Sequence, residues 1–261
     1  YFTRTDKFRK IKYYFIKMKY IIGIIGNGRF GDNLYKTFTN HCADLFEVKM
    51  YSRSAEIGGK FESIENICKA DIIIPTVPIS IFEKQILEIK DLISETSLVV
   101  DVCSVSMHPA KVMQDNLNCD LLSTHPMFGP DSTKDASFFD GLKFIHHSLR
   151  IKNEQRVKDF LNFWKSLGCE LIELTPEEHD KQAAYTHAYA FLIGKIGMLL
   201  DVRRNDISTK GFEGVLYNQE AVENDTGQLF DDMMTFNPYA KEMFEKFIEV
   251  AKKINSNIML Q

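Results

Sequence analysis

The chain has 261 residues, 44% of them hydrophobic and 26% charged, and its 32 basic and 36 acidic side chains leave a net charge of -4. This composition excludes a disordered or fibrous chain, and it supplies no basic field for a nucleic-acid backbone, so a small molecule is the expected ligand. At roughly 150 residues per domain, the length fits one large or two modest domains.

Seven Lys or Arg against the single acid Asp6 mark the first nineteen residues. That bias suits an organelle-targeting leader, but serine is absent and Met18 stands just before the first strand, so residues 1–17 are read as a leader or upstream extension. The five cysteines, Cys42, Cys68, Cys103, Cys119 and Cys169, form no C-x-x-C pair and are read as reduced thiols. No apolar run nears the roughly 20 residues a bilayer crossing needs. The expectation is a cytoplasmic protein, or a plastid one if the source is a plant or alga, with no membrane and no nucleic-acid partner.

From Tyr20 the pattern is strand, glycine turn, helix and strand, ending at Ser54. Further strands are predicted at 71–75, 98–102, 121–123, 141–146 and 169–174, with helices at 79–93 and 153–167 between them. Alternating strands and helices predict an α/β fold whose N-terminal domain, residues 18–174, is a Rossmann-like, doubly wound, mostly parallel sheet. After Leu174 the T-P-E-E run predicts a capping box between Thr175 and Glu178. Residues 175–261 then read as an all-α domain. Its helix over 178–202 is too apolar for one solvated face, so it is expected to be buried between domains or against another subunit, and a homodimer is predicted.

Gly26-Asn27-Gly28-Arg29-Phe30-Gly31 follows a strand and opens a helix. In that context G-x-G-x-x-G is a dinucleotide fingerprint: Gly26 makes the turn, Gly28 admits the pyrophosphate and Gly31 lets helix and strand approach. Arg29 and Phe30 belong to the same helix start, whose N–H groups favour an anion. The second strand ends Ser52-Arg53-Ser54 instead of in an acid for the ribose hydroxyl. A planar cation between two hydroxyls suits a 2'-phosphate, so NADP is predicted over NAD.

Asp101-Val102-Cys103-Ser104 ends another strand, at the carboxyl edge where ligands of such sheets collect. Asp101 is assigned to the cofactor, and Ser104 to hydrogen bonding or helix capping. His125, held by Pro126 at the end of a short strand, could accept a proton from a substrate hydroxyl as hydride leaves the same carbon.

With G-N-G-R-F-G, D-V-C-S-V, T-H-P-M-F-G-P, T-P-E-E-H-D-K and S-T-K-G-F-E in hand, the chain resembles the prephenate and arogenate dehydrogenases, most of all the NADP-using plant-type arogenate enzymes. The resemblance implies oxidative decarboxylation of a cyclohexadienol in tyrosine biosynthesis. It makes His125 the base or polarising group, Ser104 its support, and His179 a substrate-pocket residue; no metal is implied. Prephenate-specific relatives often carry an arginine where Tyr217 falls, which leaves Lys210, Lys195, Arg203 or Arg204 to hold the side-chain carboxylate, Lys210 foremost. A histidine usual on the long helix appears as Phe191, with His187 four residues earlier to substitute. Gln228 stands near the place of an acid suited to an ammonium group, a role Asp225 could take. Two other readings compete: a dehydrogenase of the 3-hydroxyacid or 6-phosphogluconate type, and a non-catalytic NADP-binding sensor.

Overall fold

Strand side chains alternate between two buried faces, and this alternation builds the sheet of the computed structural model, which describes residues 20–259. Ile22, Ile24, Ile72, Ile74, Leu98, Val100 and Leu122 enter one core, while Ile25, Ile73, Val99 and Leu121 enter the other. A strand buried on both faces needs continuous apolar sequence, and I-I-I at 72–74 and L-V-V at 98–100 supply it.

Along the chain come β1 (Tyr20–Ile25), α1 (Arg29–Cys42), β2 (Phe46–Tyr51), the single turn α2 (Ile64–Ile67), β3 (Ile72–Pro75) and α3 (Ile79–Ile89). They are followed by β4 (Leu98–Val100), α4 (Met107–Asn116), β5 (Asp120–Pro126), β6 (Lys143–Arg150), α5 (Glu154–Ser166) and β7 (Glu170–Glu173). The seven strands lie in the order β2-β1-β3-β4-β5-β6-β7. β1 to β5 run parallel, β6 is antiparallel to β5, and β7 is parallel to β6. The order reverses at β1, whose neighbours β2 and β3 lie on opposite sides, and a crevice opens at such a switch point beyond the carboxyl ends. Ile25 pairs with Tyr51 and Pro75, which brings Gly26, Ser52 and Thr76 to that edge together.

One face is covered by α1 and α5 through an aromatic cluster centred on Phe38 and Trp164. The other is covered by α3 and α4, joined by Met233 from the helical region. The strand predicted at 141–146 runs over Lys143–Arg150 instead, because Gly141 has φ +76 and belongs to the preceding turn.

The capping box after Leu174 is present: Thr175 N–H donates to Glu178 Oε2 at 2.9 Å, and Glu178 N–H donates to Thr175 Oγ1 at 3.3 Å. The single helix predicted over 178–202 is divided into α6 (Pro176–Ala183), a π-helical turn (Ala184–Ala188) and α7 (Tyr189–Leu199). α8 (Lys210–Asn224), α9 (Gly227–Phe236) and α10 (Pro238–Met259) complete the chain. A third core of Ala184, Ala188, Leu192, Ala240 and Met243 holds this region together. All five cysteines are unpaired. Among the described residues no helix is long and apolar enough to cross a membrane. The predicted leader, residues 1–17, lies outside the described residues.

Candidate active site

Gly26 has φ +119, and a side chain there would collide with Thr76. Gly28, by contrast, faces open space. Among the described residues no side chain caps α1, so the backbone N–H groups of its first turn remain available to an anion. Beside the turn lies a cavity of about 260 Å³ lined by Gly26, Ser52, Arg53, Ser54, Val77 and Gln85. The Ser52 and Ser54 hydroxyls lie 3.2 Å apart, and Arg53 is exposed with no ion-pair partner among the described residues. An open Gly28, an uncapped helix start and a cavity floored by hydroxyls and a guanidinium together fit the pyrophosphate and ribose of a dinucleotide.

Three strands further along the same edge, β5 ends in Thr124-His125-Pro126. At ~4.8 Å per strand, His125 stands roughly 14 Å from the glycine turn, a distance an extended dinucleotide spans. Only 3% of His125 is exposed. Its Nδ1 lies 2.8 Å from Nε2 of His179, and His179 Nδ1 lies 2.8 Å from Oδ1 of Asp180. Asp180 is wholly buried and accepts the backbone N–H groups of Ser106 (2.8 Å) and Met107 (2.9 Å) at the start of α4. Ser106 offers that helix no side-chain cap, so Asp180 of α6 caps it instead. The His187 ring stacks on His125 at 5.3 Å and meets Phe191 edge-on at 4.9 Å. His187 sits on the π turn, which shifts the helical phase and swings its ring over His125.

Burial, reinforced by the neighbouring His179 and His187, holds the His125 imidazole well below its ordinary value, so the ring is neutral. Burial likewise brings His187 down to about 4. Its Nδ1 is buried without a hydrogen bond among the described residues. Nε2 of His125 also has no protein partner among the described residues. A neutral imidazole with a vacant lone pair at the carboxyl end of a nucleotide-binding sheet can accept a proton from a bound hydroxyl.

A profile of the prephenate dehydrogenase nucleotide-binding domain matches residues 48–173, and one of a TYRAAT1-like C-terminal domain matches residues 198–261. Arogenate dehydrogenase 2, chloroplastic, of Arabidopsis thaliana is 31% identical over 238 residues, covering 86% of this chain and 66% of the relative. The chain belongs to the prephenate and arogenate dehydrogenase family. Arogenate dehydrogenase 1, chloroplastic, of the same plant is also 31% identical, over 87% of this chain but 37% of its own length. The chain thus spans about two thirds of one curated relative and little more than a third of the other. In fold it is similar to the prephenate dehydrogenase of A. aeolicus, solved with hydroxyphenyl propionate and NAD+, at TM-score 0.72 and 15% identity over 94% of this chain and 92% of that one. The sheet domain is therefore the family's nucleotide-binding domain.

Within this family member, the residues singled out from sequence fall into two groups. Gly26, Gly28 and Gly31 lie in the turn and the helix start after it, Ser52, Arg53 and Ser54 line the cavity beside Gly26, and His125, His179 and His187 meet in one cluster, while Phe30 packs against the core on the Ile22 face. The structure does not gather the others in the way expected. Asp101 is fully buried, its Oδ1 accepting Cys103 N–H at 3.1 Å, so it has no surface to offer a cofactor. Ser104 is half-buried and neither bonds His125 nor caps α4, which starts after Ser106. Arg29 reaches away from the phosphate side, giving hydrogen bonds to both oxygens of Asp131 (2.8 and 2.9 Å) and to the Asn224 carbonyl (2.6 Å), with Asp225 at 4.0 Å.

Gln228 donates to Asp232 Oδ1 at 2.7 Å and to Ser80 Oγ at 3.3 Å. Among the basic candidates, Arg203 pairs with Asp201 and Arg204 with Glu213, and Lys195 lies over Phe230. Lys210 is exposed at the start of α8 with no ion-pair partner among the described residues. Two acids were missed in the sequence reading. Asp180 was visible inside E-E-H-D-K, next to His179, but its partners on α4 were not. Asp232, 98% buried in the structure and bonded to Ser80 N–H at 3.1 Å, carries no local signal beyond a doubled Asp.

Proposed function

We propose that this chain is an NADP-dependent dehydrogenase that oxidatively decarboxylates arogenate, prephenate or both, giving tyrosine or 4-hydroxyphenylpyruvate. The observation that carries the reading is His125: a buried, neutral imidazole at the end of β5 whose Nε2 has no partner among the described residues. Bound NADP supplies the hydride acceptor. His125 Nε2 takes the ring hydroxyl's proton as the C–H electron pair leaves the same carbon, and the C–O bond becomes a carbonyl. That carbonyl draws in the electron pair of the C–C bond to the ring carboxylate, CO2 departs, and the aromatic phenol recovers its proton from the imidazolium. His179 and His187 flank the ring, and Ser104, half-buried on the loop after β4, supports the substrate hydroxyl.

Lys210, the cation of α8 with no ion-pair partner among the described residues, is the group we assign to the side-chain carboxylate, and Gln228, with Asp225 near it in sequence, to the amine end. Arg53 between Ser52 and Ser54 supports NADP over NAD, because a guanidinium pairs with a 2'-phosphate and no acid stands there for a ribose hydroxyl. Residues 18–174 then form the dinucleotide-binding domain and 175–261 the helical substrate and dimerisation domain. A homodimer is supported by Leu199, Leu200, Ile207 and Tyr217, which are 78%, 70%, 85% and 66% exposed. The enzyme works in the cytoplasm, or in the plastid of a plant or alga.

The deciding assay is NADPH formation by purified protein with prephenate and arogenate, each offered with NADP and with NAD. Turnover of either substrate, faster with NADP, is the expected result. No turnover of either by protein that binds NADP overturns the reading.

A further inference from the structure

The row Asp180–His179–His125 has a direction. Both Asp180 oxygens act as acceptors, Oδ1 from Ser106 N–H and Oδ2 from Met107 N–H. The atom facing Oδ1 at 2.8 Å, His179 Nδ1, must then carry hydrogen. With one proton on each ring, His179 Nε2 is bare and accepts, its neighbour at 2.8 Å, His125 Nδ1, donates, and the bare nitrogen of His125 is Nε2.

We propose that Asp180 is a positioning residue that sets the tautomers of His179 and His125 in turn, so that Nε2 of His125 is the proton acceptor. This rests on the reaction assigned to His125 above. The carboxylate is wholly buried between two backbone N–H groups and His179, so it acts through His179. When Nε2 takes the hydroxyl proton, the positive charge on His125 is shared along two hydrogen bonds that end on a carboxylate, as in triads where a buried acid orients a histidine. Asp180 is itself held from three sides: by the start of α4, by His179, and through its backbone carbonyl, which accepts from Asn237 Nδ2 at 2.9 Å. A residue so tied has one orientation to offer.

The test is 15N NMR of the full chain with labelled histidines, which distinguishes protonated from bare ring nitrogens. In the wild type, His125 is expected to show a protonated Nδ1 and a bare Nε2, and His179 the same pattern. A protonated Nε2 on His125 overturns the proposal. Asp180→Ala is expected to mix the two tautomers of both rings and to lower turnover about 10-fold or more, with substrate KM within about 3-fold; unchanged tautomers in a folded Asp180→Ala protein also overturn it. His179→Phe leaves Asp180 on α4 and covers the case in which Asp180→Ala does not fold. There His125 alone is expected to lose its single tautomer, and retention of it defeats the relay. The NMR readout needs no turnover, so absence of activity with both substrates would remove the proposed reaction while the tautomer result still stands or falls separately.

Discussion

Arg29 and Asp131 face each other in a two-pronged pair, with one guanidinium nitrogen 2.8 and 2.9 Å from the two carboxylate oxygens. The pair joins the first turn of α1 to the loop after β5, and the same guanidinium reaches the end of α8 at Asn224. Its side chains are 50% and 63% exposed, so water screens it and its stability contribution is at most about 1 kcal/mol. Arg29→Ala is expected to shift the unfolding midpoint by only a few degrees and to leave NADP affinity within about 3-fold. Thermal unfolding and nucleotide titration check both; a large loss of affinity would place the guanidinium on the phosphate after all.

Arg53 is the opposite case, an exposed cation with no ion-pair partner among the described residues, at the rim of the cavity. If it pairs with a 2'-phosphate, it makes charge-assisted hydrogen bonds that contribute about 1.5–3 kcal/mol. Arg53→Ala is expected to raise the Kd for NADP by about 10- to 150-fold and to change that for NAD less than about 3-fold. Calorimetric titration with both dinucleotides measures the ratio, and equal losses for the two would remove Arg53 from discrimination.

For His125 the prediction concerns rate. His125→Asn keeps a polar side chain without a basic nitrogen, so turnover is expected to fall about 10²- to 10⁴-fold, with NADP binding retained. Steady-state kinetics beside a binding titration separate the two effects. An unchanged rate would take His125 out of the chemistry.

Asp101 makes stability depend on pH. Burial raises its carboxyl to about 8 in the folded protein, while the unfolded chain ionises near 3.9. Between those values the folded state holds the extra proton, so this group's contribution is fully present below about pH 4 and is lost as pH rises toward about 8. His125 and His187, both depressed by burial, act in the other direction, losing stability as pH falls below about 6.5. Above that point Asp101 acts without their opposition. Asp101→Asn is expected to raise the melting temperature at pH 7.5–8 and to flatten its decline between about pH 6.5 and 8. Parallel melting series of variant and wild type provide the comparison, and coincident slopes would count against a protonated Asp101.

The aromatic core makes a prediction independent of function. Phe38 is wholly buried, with ring centroids of Phe163, Phe46 and Trp164 at 5.0, 5.4 and 5.6 Å. Phe38→Ala leaves a cavity that these large, interlocked rings cannot close, at an expected cost of about 3–5 kcal/mol. Chemical denaturation would report it as a lower midpoint with little change of slope.

Local chemistry was legible in the sequence wherever neighbours along the chain decide the outcome. Gly26 to Gly31 specify a strand-turn-helix because the steric needs are met within six residues, and the strands were found because burial on both faces demands unbroken apolar runs. The capping box at Thr175 and Glu178 could be read for the same reason. Tertiary structure alone decided who meets whom. His125 and His179 are 54 residues apart, and Ser106 and Asp180 are 74, so no periodicity connects them. The π turn that carries His187, whose ring stacks on His125, leaves no mark in local propensity. Burial turned Asp101 from an edge ligand into a core carboxyl, and Asp131 on the loop after β5 engaged the Arg29 guanidinium. Hydrogen bonding and desolvation depend on the whole fold, whereas turns and caps depend on a few adjacent residues.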